Sequence, residues 1–330
     1  MYCWEDNGYM VIPLAFNIFY SESRNDKRNI GFGREFSISD EIFEELQLLL
    51  KSQSDDKITA IDMQRINYPS RMFEGLRETE KPILFFNVQG QILHSMMEED
   101  LPKLSWSEDR DVCFLNGEMS KGIADACSSR KMFAYKKMYS RILNDIKQPC
   151  KKGHPLLLDS SGLYSNMYIT VKKLFLKPTD YYFVLYGMAA ETEKLGDFDG
   201  FISSSKNGAI LANLLGSLMN KKVVHIQGVG PRYSMRVGNV QNEIKRGRTY
   251  VYVSDFICTG TEMKIMSSLI NSNDAYLTNT VGFAMYSDEG RKENFILKRA
   301  RCLITTGEAG IAYKIAGNRE DMLELMNKKK

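Results

Sequence analysis

The sequence is poor in groups that hold metals or cross-links. It has six Cys and three His in 330 residues. Cys3, Cys113, Cys127, Cys150, Cys258 and Cys302 form no C-x-x-C pair, and His94, His154 and His225 are far apart. That spacing argues against a structural zinc site and a disulfide framework. Free thiols in a reducing compartment are expected, which predicts a cytoplasmic protein. An excess of one charge is also missing. Lys+Arg number 44 and Asp+Glu 41, a net of +3, so neither nucleic acid nor an anionic membrane finds an electrostatic footprint. The longest apolar run, residues 9–20 (YMVIPLAFNIFY), is interrupted by Pro13 and Asn17. It is shorter than the ~20 residues of a membrane span and lacks the basic lead of a signal peptide. It reads as a buried strand.

What is present is an ordinary globular composition. Hydrophobic residues make up 43% and charged residues 26%, which excludes global disorder. At ~150 residues per domain the length predicts about two domains. Residues 21–29 (SESRNDKRN) read as a loop. Residues 40–51 (DEIFEELQLLLK) read as a helix with Ile42, Phe43, Leu46, Leu49 and Leu50 on one face and Ser39 as N-cap. Residues 57–63 and 82–88 have strand character, with a helix over 69–79 between them.

This order of strands and helices over residues 28–100, with "AIDMQRINYPSRMFEGL" and "KPILFFNV", resembles the STAS fold of anti-sigma-factor antagonists in its shorter, STAS-like form. The resemblance implies a protein partner, an acid at the strand end (Asp62), and a phosphorylatable Ser at the second helix, a place that Ser70 occupies. A plain helix cap is the simpler role for Ser70. Residues 105–150 read as a connector with accessory helices, with one more strand at 111–115. The basic cluster of Arg130, Lys131, Lys136, Lys137 and Arg141 reads as a solvated helix face.

The second half alternates short apolar strands with helices. A strand at 200–203 is followed by the turn 204–208 (SSKNG) and an apolar helix over 209–219. A strand at 222–226 follows, then one at 250–253, the loop 254–261 (SDFICTGT) and a helix over 262–271. This is βαβ logic, which implies a parallel sheet with ligand loops at the strand C-terminal ends. The loop 255–261 has small hydroxyl residues and Gly260 before a helix N-terminus, the makings of an anion cradle. Lys206 supplies a cation to the other turn. Two phosphate cradles on neighbouring strands suit one ligand phosphorylated at both ends.

"YVYVSDFICTGTE" resembles the 5-phosphoribosyl-1-diphosphate (PRPP) loop of type I phosphoribosyltransferases. "FISSSKNGAILANLLGSLMNKKVV" resembles their diphosphate loop, and "PLLLDSSGLYSNMYITVKKLFLKP" the hood of orotate phosphoribosyltransferases. The expected fold class is therefore α/β: a type I phosphoribosyltransferase-like parallel sheet with flanking helices over 151–330, a STAS-like domain over 1–104, and the connector 105–150. The resemblance implies Lys206, Asn207 and Gly208 on the diphosphate. It implies Cys258, Thr259, Gly260 and Thr261 around the 5-phosphate, with Ser254 and Asp255 at the ribose. Residues 230–238 (GPRYSMRVG) resemble the loop that closes over the diphosphate, with Arg232 and Arg236 as its cations. Ser160, Ser161 and Gly162 would border the base, and Lys172 or Lys173 would face base or solvent. The implied catalytic residues are Asp255, Arg236 and Lys206, with Mg²⁺ held indirectly through Asp255. A homodimer is implied as well.

The pattern departs from the family at several places. Ser254 replaces the first of two acids, Tyr233 and Arg236 stand where Lys is usual, and Ser160 replaces a hood Lys. PRPP or nucleotide binding is thus better supported than turnover. The expected function is Mg-assisted phosphoribosyl transfer or N-glycosidic cleavage. The rival readings are a non-catalytic nucleotide sensor signalling through the STAS-like domain, and a nucleotide-consuming defence effector.

Overall fold

The structure is a computed structural model. It describes residues 1–24, 36–54, 57–68, 70–98, 101, 103–107, 111–123, 135–158, 161–226, 243–286 and 297–327. The chain divides into two compact units, Met1–Ala134 and Tyr135–Lys330.

The first unit is built on a mixed sheet. Its strands are β1 (Trp4–Asp6), β2 (Tyr9–Pro13), β4 (Ile58–Asp62), β6 (Ile83–Phe86), β7 (Leu104–Ser107) and β8 (Val112–Leu115), in the order β1-β2-β4-β6-β8-β7. A separate two-stranded pairing joins β3 (Phe36–Ser37) to β5 (Ile66–Tyr68). β2, β4 and β6 are parallel; the flanking pairs are antiparallel. β4 and β6 are almost wholly buried along their length, as central parallel strands covered on both faces must be. The helices are α1 (Leu14–Arg24), α2 (Asp40–Ser52), α3 (Ser70–Leu76) and α4 (Gly90–Glu98). Ser39 caps α2, its hydroxyl accepting from the Ile42 N–H at 3.4 Å. Ser70 is the first residue of α3.

The run at 9–20 is not one strand. It stops at Pro13 and continues as α1. Asn17 explains the change: its amide donates to the Pro13 carbonyl one turn back, at 3.1 Å, and to Tyr2 O at 3.0 Å. Its Oδ1 accepts from Tyr2 N at 2.6 Å. A buried polar side chain that looks disruptive in a strand is thereby satisfied in a helix. The stretch 105–150 also divides. β8 lies inside the first sheet, whereas the helix that follows residue 135 belongs to the second unit.

The second unit has a five-stranded, all-parallel sheet. Its strands are β13 (Gly200–Ser203), β14 (Lys222–His225), β15 (Thr249–Ile257), β16 (Tyr276–Met285) and β17 (Ala300–Thr305), in the order β14-β13-β15-β16-β17. The flanking helices are α5 (Lys136–Ile146), α6 (Pro178–Glu193), α7 (Lys206–Met219), α8 (Thr261–Asn271) and α9 (Arg319–Asn327). The α/β class with a parallel sheet and flanking helices is thus the observed one. Smaller pieces complete the unit: the pair β9 (Lys147–Pro149) and β12 (Met167–Ile169), and the three-stranded sheet of β10 (Leu156–Leu158), β11 (Leu163–Ser165) and β18 (Ile315–Ala316). On one face of the main sheet, Tyr250 and Tyr252 of β15 and Val224 of β14 pack with Met263, Met266 and Ile270 of α8. At roughly 1.5–3 kcal/mol per large buried apolar side chain, such layers hold the strands in fixed register.

Candidate functional site

β13 and β15 are neighbours and parallel, with Gly200 opposite Tyr250 and Ile202 opposite Tyr252. The chain therefore leaves both strands at the same end of the sheet. Each exit leads straight into a helix, α7 from β13 and α8 from β15. The two turns singled out in the sequence lie side by side.

The first turn is tighter than a loop over 204–208. Ser205 is the N-cap of α7, its hydroxyl accepting from the Gly208 N–H at 2.9 Å. Lys206, Asn207 and Gly208 therefore form the first helical turn. Lys206 is exposed, Asn207 half-buried and Gly208 buried. A Cβ on Gly208 would lie 2.9 Å from the Val253 carbonyl oxygen. Glycine here lets the helix start approach the backbone of β15.

The second turn begins later than the sequence suggests. β15 runs to Ile257, so Ser254 and Asp255 belong to the strand. Ser254 is buried and its hydroxyl donates to Phe256 O at 3.3 Å. Asp255 is held from the other turn: Asn207 Nδ2 donates to Oδ2 at 2.9 Å and Ser205 Oγ to Oδ1 at 3.4 Å. Burial pushes its carboxyl above the ordinary carboxylate range. Hydrogen bonds from the Asn207 amide, the backbone N–H groups of Asp255 and Phe256, and the Ser205 hydroxyl oppose that rise. Gly260 has φ of 75° and caps α8 in the left-handed region, where a side chain is costly. The Thr259 and Thr261 hydroxyls bond to each other at 2.8 Å. The Cys258 sulfur lies 4.0 Å from the Tyr313 hydroxyl.

Three side chains that sequence reasoning passed over tie the two turns together on the α8 side. Ser204 Oγ, Tyr252 OH and Glu262 Oε2 form one hydrogen-bonded cluster, the hydroxyls 2.5 Å apart and 3.1 and 2.8 Å from the carboxylate oxygen. Desolvation, and then the Glu262 charge, hold the Tyr252 phenol far above its usual value, so it stays a donor. Nearby, Ser203 Oγ and His225 Nδ1 are 3.0 Å apart, joining the ends of β13 and β14. An acid in the first turn of a helix ordinarily signals only the helix dipole, so Glu262 carried no distinguishing signal in the sequence.

Ser161 and Gly162 form the turn of the β10–β11 hairpin, with Gly162 at φ of 70° and its N–H donating to Leu158 O at 2.8 Å. Lys172 is exposed and Lys173 half-buried, in a 3-10 helix over Val171–Leu176. Tyr313 connects this region to the β15 exit, since it packs on Phe256 and Tyr286 and its hydroxyl bonds to Ser165 at the end of β11. Ser160, Arg232 and Arg236 lie outside the described residues, and of Ser70 only the backbone placement is described.

Among the described residues no three His, Cys, Asp or Glu side chains gather as a metal site. Magnesium is commonly held by one or two carboxylates together with ligand phosphates. Asp255 is a carboxylate of the kind that could share such an ion with a ligand's phosphates.

No family model matches the sequence, and no curated protein matches it. Among solved structures the chain is similar to orotate phosphoribosyltransferase from Aeropyrum pernix, with 18% identity, 52% of this chain and 96% of that chain covered, and a TM-score of 0.40. It is similar to adenine phosphoribosyl transferase from Trypanosoma brucei in complex with AMP, pyrophosphate and ribose-5-phosphate, at 14% identity, 53% and 81% coverage and a TM-score of 0.39. Leishmania donovani UMP synthase shares 13% identity over 90% of this chain and 60% of that one, with a TM-score of 0.42. Likeness at these values assigns no substrate. Among the described residues no helix is long and apolar enough to cross a membrane.

Proposed function

We propose that the second unit is a type I phosphoribosyltransferase-like module that binds PRPP or a related nucleotide across its two turns. The observation that carries this reading is the parallel pairing of β13 with β15, with Asn207 joined to Asp255 across the pair. Lys206 sits on the diphosphate and Asp255 on the ribose hydroxyls. The turn of Thr259, Gly260 and Thr261 takes the 5-phosphate. In the transfer direction the anomeric C–O bond breaks and its electron pair leaves with diphosphate. A base nitrogen then bonds to the anomeric carbon and its proton passes to solvent. Lys206 and Arg236 supply positive charge to the leaving diphosphate, and a Mg²⁺ ion, were one held through Asp255 and the ligand, would add to that neutralisation. Cleavage of a nucleotide's N-glycosidic bond is the reverse step on the same groups: a diphosphate oxygen bonds to the anomeric carbon, and the base leaves with the electron pair of the broken C–N bond and takes up a proton.

The test is incubation of the purified protein with PRPP, Mg²⁺ and a panel of bases, and separately with nucleotides and diphosphate. Diphosphate or free base released by the wild type and not by Asp255→Asn or Lys206→Ala supports an enzyme. A PRPP-induced rise in Tm without product supports a second reading, a nucleotide sensor. Ser254 favours that reading, because a buried hydroxyl stands where an acid is needed for ribose and metal. In it the first unit, STAS-like, passes the signal to a protein partner, and Ser70→Ala changes partner capture. If PRPP neither shifts Tm nor reacts, both readings fall.

A further inference from the structure

Glu262 is an anion next in sequence to the turn that the proposed ligand's phosphate would fill. It is the second residue of α8, immediately after the turn of Thr259, Gly260 and Thr261. A first-turn acid usually faces solvent and gains a little from the helix dipole. This one is half-buried and turns toward the neighbouring loop. Its Oε2 lies 2.8 Å from Tyr252 OH and 3.1 Å from Ser204 Oγ, and those two hydroxyls are 2.5 Å apart, so the three groups share one hydrogen-bonded cluster. Tyr252 is rigidly packed at 1% exposure, so it is a fixed anchor. Ser204 belongs to the opposite turn, so the carboxylate bridges both. The hydroxyls of Thr259 and Thr261 are 2.8 Å apart, so one donates to the other.

We propose that Glu262 is an internal competitor for the phosphate end of the ligand, a specificity-determining carboxylate that must leave Ser204 and Tyr252 before a phosphate can share the first turn of α8. The inference rests on the phosphoribosyl reading above and adds a device to it. One helix N-terminus stabilises one anion well. A second held beside it in a partly desolvated site is repelled. A ligand with an uncharged end does not meet this opposition. When Glu262 swings away, the Ser204 hydroxyl is released on the diphosphate turn, so filling one end prepares the other.

The experiment measures binding of ribose 5-phosphate, PRPP with Mg²⁺, and unphosphorylated ribose to the full chain by calorimetry. It compares wild type with Glu262→Gln and Tyr252→Phe. Glu262→Gln removes the charge and should tighten ribose 5-phosphate binding by about tenfold. Tyr252→Phe keeps the charge but removes one anchor, and should tighten it by a smaller factor. Ribose binding should not change in either. If Glu262 merely braced the two turns, both variants would bind the phosphate more weakly. Wild-type binding of PRPP with equal or weaker binding by both variants overturns the competitor role and leaves the phosphoribosyl reading intact. Failure of wild type and of both variants to bind any phosphate ligand overturns that reading, and this inference with it.

Discussion

The Asn207 amide donates to Asp255 Oδ2 at 2.9 Å and joins the first turn of α7 to the end of β15. This bond crosses between the two strand exits, and it steadies a carboxylate whose burial opposes its charge. The folded Asp255 carboxyl titrates above its unfolded value. An acid shifted upward favours the folded state most at pH below the unfolded pKa, and that contribution is lost as pH rises through the folded one. Ionising this side chain in the folded protein is therefore a stability cost.

Asp255→Asn should consequently raise Tm at pH 7 while abolishing the PRPP-induced thermal shift. The advantage over wild type should shrink toward about pH 4, where the unfolded carboxyl also becomes protonated. Thermal denaturation across that range checks it, with about 2–4 °C expected per kcal/mol in a unit of this size. A lower Tm for the variant at neutral pH would show that the Asn207 and Ser205 hydrogen bonds outweigh desolvation.

Gly208→Ala tests how closely α7 must approach β15. The new Cβ would meet Ser205 Oγ at 2.8 Å and the Val253 carbonyl oxygen at 2.9 Å. The first can rotate, but the second is backbone in a packed strand. Overpacking of this kind costs about 1–3 kcal/mol, and the helix start should also move off the Asn207–Asp255 bond. Urea denaturation should give a lower midpoint with unchanged slope, and PRPP should bind more weakly. Wild-type stability would mean that the α7 start yields without cost.

Part of this region was legible because it follows from strand order and small residues. The strand at 200–203, the glycine at 260 and the helix after each strand are local signals, and the structure keeps them, although the helix after β13 starts at Lys206, inside the turn read over 204–208. Two kinds of information were not legible. Where β15 ends depends on its pairing with β16 out to Met285, a non-local fact, so Asp255 looked like loop. Glu262 and Tyr252 gain meaning only from Ser204, which is 58 residues from Glu262 in sequence. In the first unit, α1 was misread because buried Asn17 finds its partners one turn back and at Tyr2, and apolar runs of this length do not distinguish strand from helix.

Asn17 gives a stability prediction in that unit. Its side chain satisfies both backbone groups of Tyr2 and the Pro13 carbonyl. Asn17→Leu removes these hydrogen bonds, each worth about 0.5–1.5 kcal/mol net. The variant should unfold at lower denaturant by a probe in the first unit, such as Trp4 or Trp106 fluorescence. An unchanged midpoint would mean that water replaces the side chain at the N-terminal strand.

Cys113 provides a chemical check on the first sheet. It lies in β8, between β6 and β7, at 0% exposure. Burial, reinforced by the Asp111 charge, pushes its thiol up to about 12. Only the thiolate is alkylated readily, and at pH 8 roughly one thiol in ten thousand would be ionised at such a value. Native protein treated with iodoacetamide at that pH should show Cys113 unmodified by peptide mass spectrometry. The half-buried Cys150 and Cys258 should react first, and Cys113 should follow only in urea. Rapid modification of Cys113 in the native state would mean that β8 leaves the sheet on the labelling timescale, and the six-stranded order would then be untenable.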